Sequence, residues 1–165
     1  MNHKALLQLA AELMHGFRHG EGPADKAFAD YTKKRGFLGA TEKRFLGDIF
    51  FYTLRHLRRI DEAILSGFSE MVVAEERYSS GFPVTDPMGA RAWERRSVDT
   101  LRLGLAAVEQ KLEEPAVVAE ELERSWPHLK EKKPPRAETL ARMIDHAAGV
   151  MGLFAKQSKP IALER

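Results

Sequence analysis

The chain has 165 residues, of which 44% are hydrophobic and 30% charged, so it can bury the core of one domain of ordinary size. It contains no cysteine, which excludes disulfides, thiolate metal sites and cysteine nucleophiles. Lysine and arginine number 26 against 24 acidic residues, which excludes a uniformly basic nucleic-acid coat. No apolar run approaches the roughly 18–20 residues of a membrane span and the N-terminus lacks a secretory pattern, so we expect a cytoplasmic protein with no membrane partner.

Apolar residues recur at three- and four-residue spacing along the chain, and this pattern predicts an all-α protein, a single compact bundle of six or seven helices. The first two helices are predicted over residues 3–17 and from Ala24 to about Arg35, with a glycine- and proline-containing turn between them. We assign residues 1–157 to one domain and residues 158–165 to a tail or the start of a linker.

The third predicted helix, residues 41–66, has the clearest pattern. Thr41 is its expected N-cap, and Glu42 lies in the first turn, where a negative charge suits the helix dipole. One face carries the expected core residues, which are Leu46, Ile49, Phe50, Thr53, Leu57, Ile60 and Ile64.

Less regular segments follow the third helix. Further helices are predicted over residues 67–80, 87–114, 116–126 and 136–156. Pro115 is expected to end the helix that starts near Asp86-Pro87, and residues 78–97 contain a loop elaboration rich in serine, glycine and proline. Trp93 and Trp126 are expected to be core anchors.

The charge is unevenly distributed along the chain. Residues 33–59 contain eight basic and two acidic side chains, a net charge of +6, whereas residues 109–124 contain six glutamates and two basic residues, a net charge of −4. The basic side chains of the first segment are Lys33, Lys34, Arg35, Lys43, Arg44, Arg55, Arg58 and Arg59. This segment is the candidate surface for neutralising phosphates.

Phe51 lies among these arginines, on the face of the third helix opposite the expected core. A basic stripe that contains an aromatic ring can bind phosphates and stack on an unpaired base. The alternative is that a second layer of helices covers this face and makes Phe51 a core residue. Arg55 likewise has two interpretations, since it can contact RNA or pair with a carboxylate inside the bundle.

No set of residues predicts catalysis. The segment from His19 to Pro23 contains Gly-x-Gly before a helix, but it follows a helix and lacks the lysine of a phosphate loop, so a turn is the better interpretation. Glu12, His15 and His19 have the spacing of metal ligands on a helix, yet nearby glycines favour solvated side chains. Asp99 and Glu109 have no histidine or serine partner that would indicate acid–base chemistry.

Three segments, Ala24–Tyr31, Leu38–Leu46 and Leu54–Asp61, follow a known pattern in order and spacing. Over residues 5–66 the chain resembles the NusB-like helical domain at the N-terminus of Sun/RsmB-type rRNA 5-methylcytosine methyltransferases. Tyr52 departs from that pattern, because the family usually has a small residue there. The resemblance implies a NusB-like fold and contact with RNA or with other proteins through helical faces.

The catalytic part of that family is a separate Rossmann-like domain with a glycine-rich cofactor loop and catalytic cysteines. This cysteine-free chain has no βαβ pattern, so we expect no catalytic residue, metal or cofactor within it. The prediction is therefore a non-catalytic RNA-binding module for rRNA recognition, whose partners are rRNA and a methyltransferase domain, in cis or in another protein. The competing hypotheses are a transcription-antitermination-type factor and a protein-interaction adaptor, which could bind residues 109–124 of a second copy.

Overall fold

The computed structural model describes residues 2–74, 95–125 and 136–163 of the chain. Within these ranges every regular element is a helix, and the helices pack on one another, which confirms the all-α bundle. The seven helices described are α1 (His3–His19), α2 (Ala24–Lys33), α3 (Ala40–Arg55), α4 (Leu57–Ala74), α5 (Arg95–Glu109), α6 (Pro115–Ser125) and α7 (Ala137–Leu163). No helix in the described part of the chain is both long and apolar enough to cross a bilayer.

Helix α5 is the centre of the bundle and contacts α1, α3, α4, α6 and α7. Its central residues are buried on every side, as expected of a helix surrounded by others. Gly104 permits the close approach of α6, because a Cβ atom at this position would lie 2.3 Å from Cγ1 of Val118. Helix α2 lies at the edge of the bundle and packs against α1 and α3 alone among the described helices.

The third predicted helix is wrong in one respect: residues 41–66 form two helices that meet at His56. This residue leaves the helical region, with φ −119° and ψ 24°, and it ends α3 before α4 begins at Leu57. Six of the seven predicted core residues are fully buried, but Leu57 is 37% exposed. The break moves Leu57 out of the apolar face, which resumes at Ile60.

The predicted N-cap of this helix is also wrong, because α3 starts one residue earlier, at Ala40, with Gly39 as the cap. The Glu42 carboxylate accepts a hydrogen bond of 3.3 Å from the backbone N–H of Gly39. Glu42 therefore does what its charge in the first turn suggested, and it also satisfies a backbone donor that has no partner within the helix.

The helix predicted over 87–114 ends early, at Glu109, because a left-handed residue terminates it. Lys111 has φ 61°, its N–H donates to the Val108 carbonyl over 3.0 Å, and the Leu112 N–H donates to the Ala107 carbonyl over 2.8 Å. These two bonds form a Schellman motif. Pro115 then begins α6 instead of ending α5, since its missing N–H costs nothing at the first helical position.

The other predicted boundaries differ from the observed ones by a few residues. Helix α1 continues to His19, and α7 continues to Leu163, so residues 158–163 of the predicted tail lie in a helix. Gly22 has φ 101° in the turn between α1 and α2, as the turn interpretation of that segment requires. Trp93, Trp126 and most of the 78–97 loop lie outside the described residues.

Candidate nucleic-acid interface

An open groove of about 970 Å³ runs along α3, with the first turn of α2 on its other side. It is lined by Ala24, Asp25, Phe28, Ala40, Lys43, Arg44, Gly47, Asp48, Phe51, Leu54, Arg55 and Gln110. Four of the nine predicted RNA-binding residues therefore meet at one surface, which we call the basic groove. They are Lys43, Arg44, Phe51 and Arg55.

Aromatic rings form the apolar part of the basic groove. The rings of Phe28 and Phe51 are 5.3 Å apart, and Phe51 lies 5.1 Å from the fully buried ring of Phe50. Gly47 makes room for this packing, because a Cβ atom there would lie 3.3 Å from Cζ of Phe28. Phe51 thus combines the two interpretations of the sequence: it is half-buried against the core and also lines the groove.

The basic side chains of the groove are available for a ligand. Lys43, Arg44 and Arg55 are all exposed, and none of them forms an ion pair with another residue of the described part of the chain. Two carboxylates, Asp25 and Asp48, line the same groove, so its field is mixed and not uniformly positive. Three cations around an aromatic patch can contact phosphates while the rings contact a base.

The three basic residues at the end of α2 do not line the groove. Lys33 and Lys34 are exposed beside the C-terminus of α2, where positive charge suits the helix dipole. Arg35 is held within the fold, because it pairs with Glu12, donates to the Tyr31 carbonyl over 3.1 Å and stacks 3.5 Å above the Tyr31 ring. Burial and the Glu12 charge raise the pKa of Tyr31 to about 12.

Arg58 and Arg59 also lie apart from the groove, on the first turn of α4. Arg58 is almost fully exposed and reaches Glu62 over 3.7 Å. Arg59 is half-buried and donates a 2.7 Å hydrogen bond to the Tyr52 hydroxyl. Tyr52, the residue that departs from the family pattern, therefore anchors an arginine.

His56 stands between the groove and Arg59, at the break between α3 and α4. Its ring lies 4.4 Å from that of Tyr52. Burial lowers the pKa of His56, and the positive charges of Arg59 and Arg55 lower it further. Near neutral pH this histidine consequently adds no charge to the end of the groove.

A second group of charges is internal, and we call it the Asp99 network. Asp99 is fully buried and pairs with Arg18 and with Arg102, the latter over 3.2 Å. Arg102 also donates to both carboxylate oxygens of Asp61, over 2.8 and 3.3 Å. Burial raises the pKa of Asp99, while the two arginines oppose that change. This aspartate ties α1 to α5.

The acidic segment 109–124 contacts α1 of its own chain. Glu113 pairs with His3, Glu120 pairs with Lys4, and Gln8 donates to Glu121 over 3.3 Å. Glu121 is buried and receives Arg124 from its own helix. Much of the negative charge in this segment is therefore used inside the fold.

Sequence reasoning missed three residues of the region. Phe28 and Gly47 line the groove but belong to no basic or aromatic pattern on α3. Phe37, in the connection from α2 to α3, is 62% exposed, and its two glycine neighbours at positions 36 and 39 made it look like part of a simple turn. Its isolation among basic residues was the one available signal.

No protein-family profile, no curated protein sequence and no solved structure matches this chain. The resemblance to the NusB-like domain accordingly remains a prediction from the residues quoted above.

Proposed function

We propose that this chain is a non-catalytic RNA-binding module and that the basic groove is the surface that binds an unpaired stretch of RNA. The observation that carries the proposal is the meeting of Lys43, Arg44 and Arg55, all without internal ion pairs in the described residues, around the half-buried ring of Phe51. The cations would contact phosphates, and the ring would contact a base.

The open shape of the groove favours an unpaired strand over a regular duplex. An A-form duplex offers side chains a wide, shallow minor groove and stacked bases, whereas a single strand can turn its bases onto aromatic rings. Asp25 and Asp48 add hydrogen-bond acceptors that could receive exocyclic amino groups of such bases. The resemblance supports rRNA as the substrate and a methyltransferase domain as the catalytic partner.

The protein-interaction alternative has less support. Its proposed partner surface, the acidic segment 109–124 of a second copy, already has Glu113, Glu120 and Glu121 engaged with α1. Breaking those contacts to form equivalent ones between copies would gain little, since exposed ion pairs are each worth about 0–1 kcal/mol. The basic groove, in contrast, offers charges that have no such internal partner in the described chain.

The direct test measures binding of an rRNA fragment with an unpaired loop over a salt series, for the wild type and the K43Q/R44Q variant. We expect the variant to bind about 10-fold or more weakly and the slope of log K against log salt to fall by about 1.4, since each phosphate contact on a single strand contributes about 0.7. Both side chains are exposed, so the free energy of unfolding should change by less than about 0.5 kcal/mol.

The matched control is R136Q/R142Q, which removes the same charge from exposed positions beside and on α7. Helix α7 packs against α4, α5 and α6 and touches neither α2 nor α3. An equal loss of affinity in both variants would reduce the effect to net charge and refute the groove as the site. Absence of measurable RNA binding by the wild type at low salt would refute the function itself.

A further inference from the structure

Phe37 is the most exposed large hydrophobic side chain among the described residues, with 62% of its surface accessible. It lies in the short connection between α2 and α3, outside the residues that line the basic groove. A lone exposed aromatic ring needs no explanation by itself. Its setting, however, differs from that of an incidental surface residue in two respects.

The first respect is that the connection is held in place on both sides of Phe37. Backbone hydrogen bonds join Lys34 N–H to the Asp30 carbonyl over 3.2 Å and Leu38 N–H to the Arg35 carbonyl over 3.0 Å. Leu38 is buried in the core, and Arg35 is fixed by Glu12 and the Tyr31 ring. The neighbours of Phe37 thus point inward and are anchored, so its exposure is a property of the folded connection.

The second respect is the charge around the ring. Lys33 and Lys34 precede it at the end of α2, both exposed and neither in an ion pair with a described residue. Cations beside an exposed ring suit a ligand that carries phosphates and flat bases, and they suit an apolar protein partner less well.

The third observation concerns distance. Phe37 is three residues before Ala40, which lines one end of the basic groove, so the two Cα atoms can be at most about 11 Å apart. One RNA strand that leaves the groove at this end would pass the exposed ring and the two lysines.

We propose that Phe37 is a base-stacking residue that holds a second unpaired base outside the basic groove, with Lys33 and Lys34 contacting the adjacent phosphates. This inference rests on the proposed function and deepens it, because it sets the direction of the strand and extends the contact beyond the groove. It also gives a role to the two lysines that do not line the groove.

The test compares F37A, F37L and F37W with the wild type, using a short unstructured ribo-oligonucleotide as the probe. A stacking role predicts that F37A and F37L both lose about 5- to 30-fold in affinity, while F37W retains it, because leucine keeps the apolar surface but has no flat π face. A strand of the same length without bases should bind the wild type and F37A equally. L57A, at the other exposed large hydrophobic residue, is the control and should bind as the wild type does.

The outcomes separate this inference from the proposed function. Wild-type affinity in F37A together with weakened binding by K43Q/R44Q would overturn the role of Phe37 and leave the groove intact. Wild-type affinity in F37L, or a change of oligomeric state in F37A by sedimentation, would overturn stacking in favour of an apolar contact. A wild type that binds no RNA would overturn both proposals. Circular dichroism should show all variants folded, since the side chain contributes little buried surface.

Discussion

The Asp99 network and the basic groove use the same kind of side chain in opposite ways. In the network, Arg18 and Arg102 converge on a fully buried carboxylate, so their charges are neutralised within the fold. In the groove, Lys43, Arg44 and Arg55 surround an aromatic surface with no ion pair among the described residues. The difference shows that the position of a carboxylate, and not the density of positive charge, decides whether an arginine holds the fold together or remains free for a ligand.

The Asp99 network gives the largest expected effect. R102M leaves the buried Asp99 with one cation fewer and removes the partner of Asp61. We expect the free energy of unfolding, measured by urea denaturation, to fall by about 3 kcal/mol, since breaking a buried pair strands a charge. R142M, at an exposed position on α7, should change it by less than about 0.5 kcal/mol.

The same variant has a diagnostic pH dependence. Burial raises the pKa of Asp99, so the folded state takes up its proton more readily than the unfolded state does. A protonated Asp99 needs no cation, and the deficit of R102M should therefore shrink as the pH falls from neutral toward the acidic range. A deficit that is constant with pH would show that lost packing, and not the stranded charge, causes the instability.

Arg59 is intermediate between the two regions and should give a smaller effect. R59Q removes the hydrogen bond to the Tyr52 hydroxyl, and we expect a loss of about 1 kcal/mol in stability with little change in RNA affinity or salt slope. R58Q, which removes an exposed charge paired only with the neighbouring turn, should leave stability within about 0.5 kcal/mol of the wild type. A marked loss of RNA affinity in R59Q would extend the binding surface onto α4.

His56 should give the smallest effect, and only at acidic pH. Its pKa in the folded state is below the ordinary value of 6.5, so the unfolded state binds the proton more readily. Stability should consequently fall as the pH drops through about 6.5, and thermal unfolding should record a larger drop for the wild type than for H56Q. Identical pH profiles for the two proteins would mean that the arginines beside His56 do not act on it.

Several features were predictable because they depend on local pattern. The apolar spacing of residues 46–64 placed six buried side chains correctly, and the exposed cations Lys43 and Arg44 were found from charge alone. The break at His56 was not predictable, since the apolar spacing continues on both sides of it. The end of α5 was missed because Lys111 occupies the left-handed position that usually takes glycine.

The sequence by itself determined the all-α class, most of the core and the concentration of positive charge in residues 33–59, because periodicity and charge are properties of neighbouring residues. The tertiary structure alone decided which of those charges are available. Arg35 meets Glu12 from another helix, Arg59 meets Tyr52 across the α3–α4 break, and Lys43, Arg44 and Arg55 meet no carboxylate partner in the described chain. Ion pairing depends on distance in space, and helices distant in sequence supply the partners.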